Sequence, residues 1–173
     1  MIELILGGAR SGKSLLAEKR ALESGLAVTC IATAEARDDE MAQRIAHHQA
    51  RRPAAWGLVE EPLHLAAALQ AAAGDRCLLV DCLTLWLSNL LFADDEGRLL
   101  AQETAALLEL LPTLPGRVIL VSNEVGLGII PLGEVTRRFV DETGRLNQRI
   151  AALAQRVTFV AAGLPLELKG GAG

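Results

Sequence analysis

The sequence predicts an α/β domain with a mostly parallel central sheet and helices on both faces. Two observations carry that expectation. Short apolar runs alternate with longer segments of helical periodicity. The runs are near-continuous in Val, Ile and Leu, as strands covered on both faces must be. The 173 residues fit one such domain, 1–173, with a sizeable core.

The elements follow in order. "IELIL" (2–6) reads as the first strand, and 13–24 as the helix after it. "AVTCIAT" (27–33) is the second strand, followed by a helix over 39–51 and another over 62–73. In the first of these, Asp38 is a good N-cap, and Asp39 and Glu40 favour the positive end of the helix. "CLLVDCL" (77–83) is the third strand, with helices over 84–92 and 98–111. "RVILVSN" (117–123) and "RVTFVAA" (156–162) are strands on either side of an amphipathic helix, 134–154. In that helix Val140, Leu146, Ile150 and Leu153 are the expected buried positions. "GLPLELK" adds a short strand after a turn at Gly163, and residues 169–173 read as a flexible tail. Trp56 and Trp86 are expected to be packing residues.

Composition narrows the function classes. With 17 Lys and Arg against 21 Asp and Glu the formal charge is −4, so the electrostatic footprint of a nucleic-acid binder is missing. Aromatic residues are 3%, too few for a base-stacking platform. Mean hydropathy is +0.31, but the apolar residues are scattered and no run reaches the roughly 20 needed to span a bilayer, so no membrane insertion is expected. The start "MIELILGGAR" has no basic region and no cleavage-site pattern, so no signal peptide is expected. Cys30, Cys77 and Cys82 sit in or beside strand-like runs without a CxxC spacing, which suits the reducing cytoplasm.

The strongest motif is "GGARSGKS", residues 7–14, which matches G-x-x-x-x-G-K-[ST] between a buried strand and an amphipathic helix. It makes the expected fold P-loop NTPase-like. Small residues let the chain curl so that successive N–H groups of Gly7, Gly8, Ala9, Arg10, Ser11, Gly12, Lys13 and Ser14 face phosphate oxygens. The helix starting near Lys13 aims its positive end at the same point. Lys13 would neutralise phosphate charge, and Ser14 would ligate Mg²⁺. Asp81, at the end of an apolar run, is the expected carboxylate partner for that ion, with helix capping as its plainer role. No N/T-K-x-D guanine motif of a switch GTPase is present, and the length suits a small-molecule kinase better than a DNA motor.

Only three histidines occur, and two are adjacent in "RIAHHQARRP", residues 44–53. Met41, Ile45 and His48 share the apolar stripe of the expected helix. His47 lies about 100° away, between Arg44 and Arg51 at positions i−3 and i+4. Guanidinium neighbours favour a neutral, nucleophilic imidazole and attract polyphosphate. That arrangement suits attack on an α-phosphorus to form a phosphoramidate. From this helix alone, a solvated surface histidine is the better account.

Five blocks in order resemble the bifunctional adenosylcobinamide kinase / adenosylcobinamide-phosphate guanylyltransferase family. They are "GGARSGKS", "IATAEARDDEMAQRIAHHQARRPAAW", "LLVDCLTLWLSNLL", "VSNEVGLGIIP" and "RRFVDETGRLNQRIA", and the likeness runs from residue 1 to about residue 163. The resemblance implies two reactions of cobalamin assembly. ATP or GTP phosphorylates the aminopropanol hydroxyl of adenosylcobinamide. GTP then gives GMP to that phosphate through a histidine, at the position of His47, yielding adenosylcobinamide-GDP and pyrophosphate. With the resemblance added, His47 as nucleophile becomes the favoured reading.

The same resemblance implies a nucleotide site made of the phosphate loop, Ala32, Thr33 and Ala34, His48, Gln49, Ala50 and Arg51, and the acidic Glu60 and Asp81. Glu60 is suited to accept the guanine N1 and N2 protons, with an exposed loop carboxylate as the plainer role. "NEVGLGIIP" (123–131) falls at the carboxyl edge of the sheet, where α/β folds bind ligands, and Glu124 faces either corrinoid or metal. The family implies a homotrimer and a divalent cation. Two rivals remain at this level: a single-function P-loop kinase for another alcohol, and a nucleotide-sensing subunit without turnover.

Overall fold

The computed structural model describes residues 1–35 and 53–170. The helix expected over 39–51, with its capping Asp38, and the pair His47 and His48 lie outside the described residues, as do Gln49, Ala50 and Arg51.

Strand β1 (Ile2–Gly7) is buried along its whole length. The pleat sends Leu4 and Leu6 to one side and Ile5 to the other, and each side lies in a separate apolar cluster. This is why the run is continuously apolar. Its one exception, Glu3, is considered below. Helix α1 (Lys13–Glu23) packs Ala17 and Ala21 against the Ile5 side. Strands β2 (Ala27–Ala32), β3 (Gly57–Glu60) and β4 (Arg76–Asp81) follow, with helix α2 (Leu65–Ala71) before β4. Helices α3 (Leu83–Ala93) and α4 (Arg98–Leu110) lead through a short 3₁₀ turn into β5 (Arg117–Asn123). Helix α5 (Glu134–Leu153) precedes β6 (Arg156–Ala161) and β7 (Leu164–Lys169).

Among the described residues the strands form one sheet of order β3-β2-β4-β5-β1-β6-β7. Every pairing is parallel except the β6–β7 hairpin. Helices α2 to α5 bury Leu65, Leu69, Trp86, Leu90, Leu107, Leu146 and Ile150 on the face opposite α1. The expected α/β fold with helices on both faces is therefore the observed one. No helix among the described residues is long and apolar enough to cross a membrane. The three cysteines are buried thiols outside any disulfide.

Three details differ from the expectation. Strand β3 was not foreseen: it is a four-residue edge strand whose Leu58 is 46% exposed, so no buried alternation marks it. Helix α2 starts later than residue 62, because the Glu61 carboxylate accepts the N–H groups of Leu63 (2.9 Å) and His64 (2.8 Å) and holds that turn open. Lys169 belongs to β7 and not to a flexible tail, since its ammonium donates to the carbonyls of Ala151 and Ala152 at 2.9 and 3.1 Å.

A buried charge network closes the amino end of the sheet. Glu3 has no exposed surface. Its two carboxylate oxygens accept from Arg20 and from Arg117, the latter at 2.6 Å. Arg20 also donates to the Thr158 hydroxyl at 2.7 Å and to Glu167 on β7. Arg156 binds Glu167 with two parallel bonds, 2.9 and 3.1 Å, the fork geometry that guanidinium favours. The network thus ties α1 to β1, β5, β6 and β7. Such a pair contributes little beyond an apolar substitute, but removing one partner strands a buried charge. Arg20→Met is therefore expected to lower unfolding stability by about 3 kcal/mol in denaturant titration, although it is close in volume. Hydrogen bonds from Arg156, then Arg20 and Thr158, hold the Glu167 carboxyl down to about 2 against an ordinary 4.5. A depressed carboxylate stabilises fully above its unfolded value and loses that contribution as pH falls toward its folded one. Between pH 4.5 and 2 the wild type should lose stability that Glu167→Gln, weaker at neutral pH, does not lose. Urea midpoints across that range would show the two curves converging.

Candidate active site

The phosphate loop leaves β1 at Gly7 and enters α1 at Lys13. Two glycines are fixed by space and conformation. A Cβ on Gly7 would fall 2.5 Å from the Val160 carbonyl oxygen. Gly12 has φ +97°, and its Cβ would press on Gly163 at 3.2 Å. Two outside bonds hold the loop's shape. The Glu124 N–H donates to the Gly7 carbonyl at 3.1 Å, and the Gly163 N–H donates to the Ser11 carbonyl at 2.8 Å. The loop is thus wedged between the end of β5 and the β6–β7 turn.

Lys13 is 8% exposed and its ammonium donates to the Gly8 carbonyl at 3.0 Å. Burial lowers its pKa, and the neighbouring Cys82 and Asp81 partly oppose that. Asp81 ends β4 half-buried, close enough to Lys13 to act on its charge. The Cys82 thiol is pushed up to about 11, chiefly by burial and then by Asp81, so it is a packed thiol and no nucleophile. Ser14 is half-buried on the first turn of α1. The Ser11 hydroxyl and Asn123 Oδ1 are buried beside the loop with no hydrogen-bond partner among the described residues. Ala9 and Arg10 stand exposed at the tip of the loop, while Gly8 is half-buried.

Register places the other candidates on the same edge. Ala32 pairs with Asp81 on one side and with Glu60 on the other. Gly7 pairs with Asn123 and Val160. The carboxyl ends of β3, β2, β4, β5, β1 and β6 therefore present Glu60, Ala32, Asp81, Asn123, the phosphate loop and the β6–β7 turn in a row. Glu60 is exposed there, and Ala34 is half-buried. Thr33 is entirely buried. Two polar side chains of α3, not singled out by sequence, knit this edge together. Thr84 accepts the Asn123 N–H at 2.6 Å. Asn89 donates to the carbonyls of Thr33 (2.8 Å) and Pro62 (3.2 Å). Their signal was available: with Ser88 they are the polar residues of the mostly apolar helix "LTLWLSNLLFA", and of the three only Thr84 and Asn89 are buried.

No group of three His, Cys, Asp or Glu side chains that could cage a metal occurs among the described residues. The donors on offer, the Ser14 hydroxyl and the Asp81 carboxylate, are hard oxygens. Two such ligands suit Mg²⁺, which keeps water and substrate phosphate oxygens as its remaining ligands. The arrangement can bind a polyphosphate at a helix N-terminus, neutralise it with Lys13 and offer a carboxylate to its counter-ion.

Among solved structures the chain is similar to a RadB recombinase, with TM-score 0.53 and 16% identity over 91% of this chain and 73% of that one. It is also similar to a protein of Pyrococcus horikoshii, with TM-score 0.54 and 9% identity over 99% and 87%. At these identities the likeness concerns the fold. Sequence relatives are nearer. The bifunctional adenosylcobalamin biosynthesis protein CobP of Pseudomonas aeruginosa is 66% identical over 98% of each chain. The corresponding CobU proteins of Salmonella typhimurium and Escherichia coli are 41% and 40% identical over 98% of this chain and 100% of theirs. Residues 3–168 match the model of the cobinamide kinase / cobinamide phosphate guanyltransferase family, and the chain belongs to that family.

Proposed function

We propose that this enzyme phosphorylates the aminopropanol hydroxyl of adenosylcobinamide with ATP or GTP. It then transfers GMP from GTP, by way of His47, to give adenosylcobinamide-GDP. The observation that carries the reading is the 66% identity to a bifunctional relative over 98% of both chains. The phosphate loop, Lys13 and the Asp81 edge are the geometry that supports it.

In the kinase step the acceptor oxygen attacks the γ-phosphorus, and the nucleoside diphosphate leaves. Lys13 and the loop N–H groups stabilise the charge carried by the transferred phosphoryl oxygens. In the second step an imidazole nitrogen of His47 attacks the α-phosphorus of GTP, and pyrophosphate leaves. An oxygen of adenosylcobinamide phosphate then attacks the phosphoramidate, restoring the free imidazole. Ser14 and Asp81 are the proposed holders of Mg²⁺, which supplies charge neutralisation on the phosphates. Arg51, Gln49, Ala50 and His48 are the proposed nucleotide contacts beside the nucleophile, and Glu60 the proposed acceptor for guanine. A homotrimer is the proposed assembly. Exposed Leu127, Ile129, Ile130 and Leu132, just beyond β5, supply apolar surface suited to a subunit contact. The cytoplasm is the proposed location, and buried thiols outside any disulfide agree with it.

Incubation with GTP radiolabelled at the α-phosphorus tests the nucleotidyl step. The expected adduct is stable in alkali, labile in acid, kept by His48→Ala and absent from His47→Ala. A wild type that stays unlabelled while transferring γ-phosphate would overturn the second activity. Lys13→Ala should lower kcat/KM of the kinase step by roughly 100-fold, the usual scale for removing one donor to developing charge. Initial rates with adenosylcobinamide measure this directly.

A further inference from the structure

We propose that Thr33 is a positioning residue for Asp81 and not a nucleotide contact, with Asn89 forming the other half of the same joint. The inference rests on the reading of Asp81 as the carboxylate that serves the divalent cation.

Thr33 follows β2 at the edge where the nucleotide site lies, yet its exposure is 0%. Each of its polar groups is engaged inside the chain. The amide N–H donates to the Asp81 carbonyl at 3.3 Å. The hydroxyl donates to the Cys82 carbonyl at 2.7 Å and accepts the Cys82 N–H at 3.0 Å. The carbonyl accepts from Asn89 Nδ2 at 2.8 Å. The same Asn89 nitrogen donates to Pro62 at 3.2 Å, two residues past the end of β3.

The parallel ladder between β2 and β4 ends at the pair Ala32 and Asp81. Beyond it the chain of β4 must leave the sheet for α3, and its Cys82 peptide groups would be buried without strand partners. The Thr33 hydroxyl serves as both donor and acceptor for them, extending the ladder by one side chain. A serine could do the same; a valine of equal shape could not, and would leave the buried Cys82 N–H unpaired, while the Cys82 carbonyl would keep only the Trp86 N–H at 3.2 Å. The direction of the Asp81 carboxylate is set by the backbone on which it sits. That backbone is clamped by Thr33 on one side, and Thr33 is clamped by Asn89. Thr33 thus holds the backbone that carries the carboxylate, one step behind the outer-shell hydrogen bonds that aim metal ligands directly.

The test is fluorescence titration of an N-methylanthraniloyl GTP, with EDTA and then with increasing Mg²⁺, on the folded full chain. The reference variant is Asp81→Asn. For Thr33→Val the expected result is EDTA-state affinity within twofold of wild type and a half-saturating Mg²⁺ raised about 10-fold. Thr33→Ser should stay close to wild type. The double variant Thr33→Val with Asp81→Asn should be no worse than Asp81→Asn alone, because both act through one group. Should Thr33→Val not fold, Asn89→Ala keeps the hydroxyl bonds and is expected to raise the Mg²⁺ midpoint by about threefold. An unchanged midpoint in folded Thr33→Val, or in Asn89→Ala where it has to stand in, would overturn the proposal. So would equal damage from serine and valine, and so would loss of EDTA-state binding, which would mark Thr33 as a direct contact. If Asp81→Asn itself leaves the midpoint unmoved, the metal role of Asp81 fails, and that result is distinct from failure of the joint.

Discussion

A glycine loop can point its amides at a phosphate only if something outside it fixes the curl, because glycine gives up more conformational freedom on ordering than any other residue. Here the fixing is done by two carbonyls. Gly7 accepts from the residue after β5, and Ser11 accepts from the turn between β6 and β7. The space left over is so small that Gly7 has no room for a methyl group beside Val160. Those constraints in turn require β1 to lie between β5 and β6, which is its place in the sheet. The sheet order, the parallel crossovers and the burial of β1 all serve that arrangement.

The two ends of the sheet treat charge in opposite ways. At the amino end Glu3 is surrounded by Arg20 and Arg117 and is part of the packing. At the carboxyl end the charge balance stays open. Lys13 is bonded to a backbone carbonyl, with Asp81 near it, and burial works against its charged form. A site meant for a polyanion needs that imbalance, since an ammonium already neutralised at close range would gain less from the ligand. The Glu3 network keeps the scaffold rigid without touching the chemistry.

Residues whose role depends on burial alone were legible in the sequence. The apolar strands announced both-sided burial, the phosphate loop announced its strand-to-helix context, and Asp81 lies at the end of β4, where its apolar run placed it. Strand β3 was not legible, because a short edge strand with Leu58 half outside carries neither alternation nor continuous apolarity. Thr33 could be placed at the carboxyl end of the second strand but not given its bonds, since these join it to Cys82, 49 positions away. Asn89 carries no motif, and its sign in the sequence is only that a buried amide in a mostly apolar helix has to find partners.

The β6–β7 turn has a consequence for how the enzyme is made. A ribosome releases the phosphate-loop sequence well before Gly163. Until the late segment emerges, Ser11 has no N–H to accept from, and Gly12 has no neighbour to lean on. The curl of the loop at Ser11 is therefore completed only once the β6–β7 turn is in place.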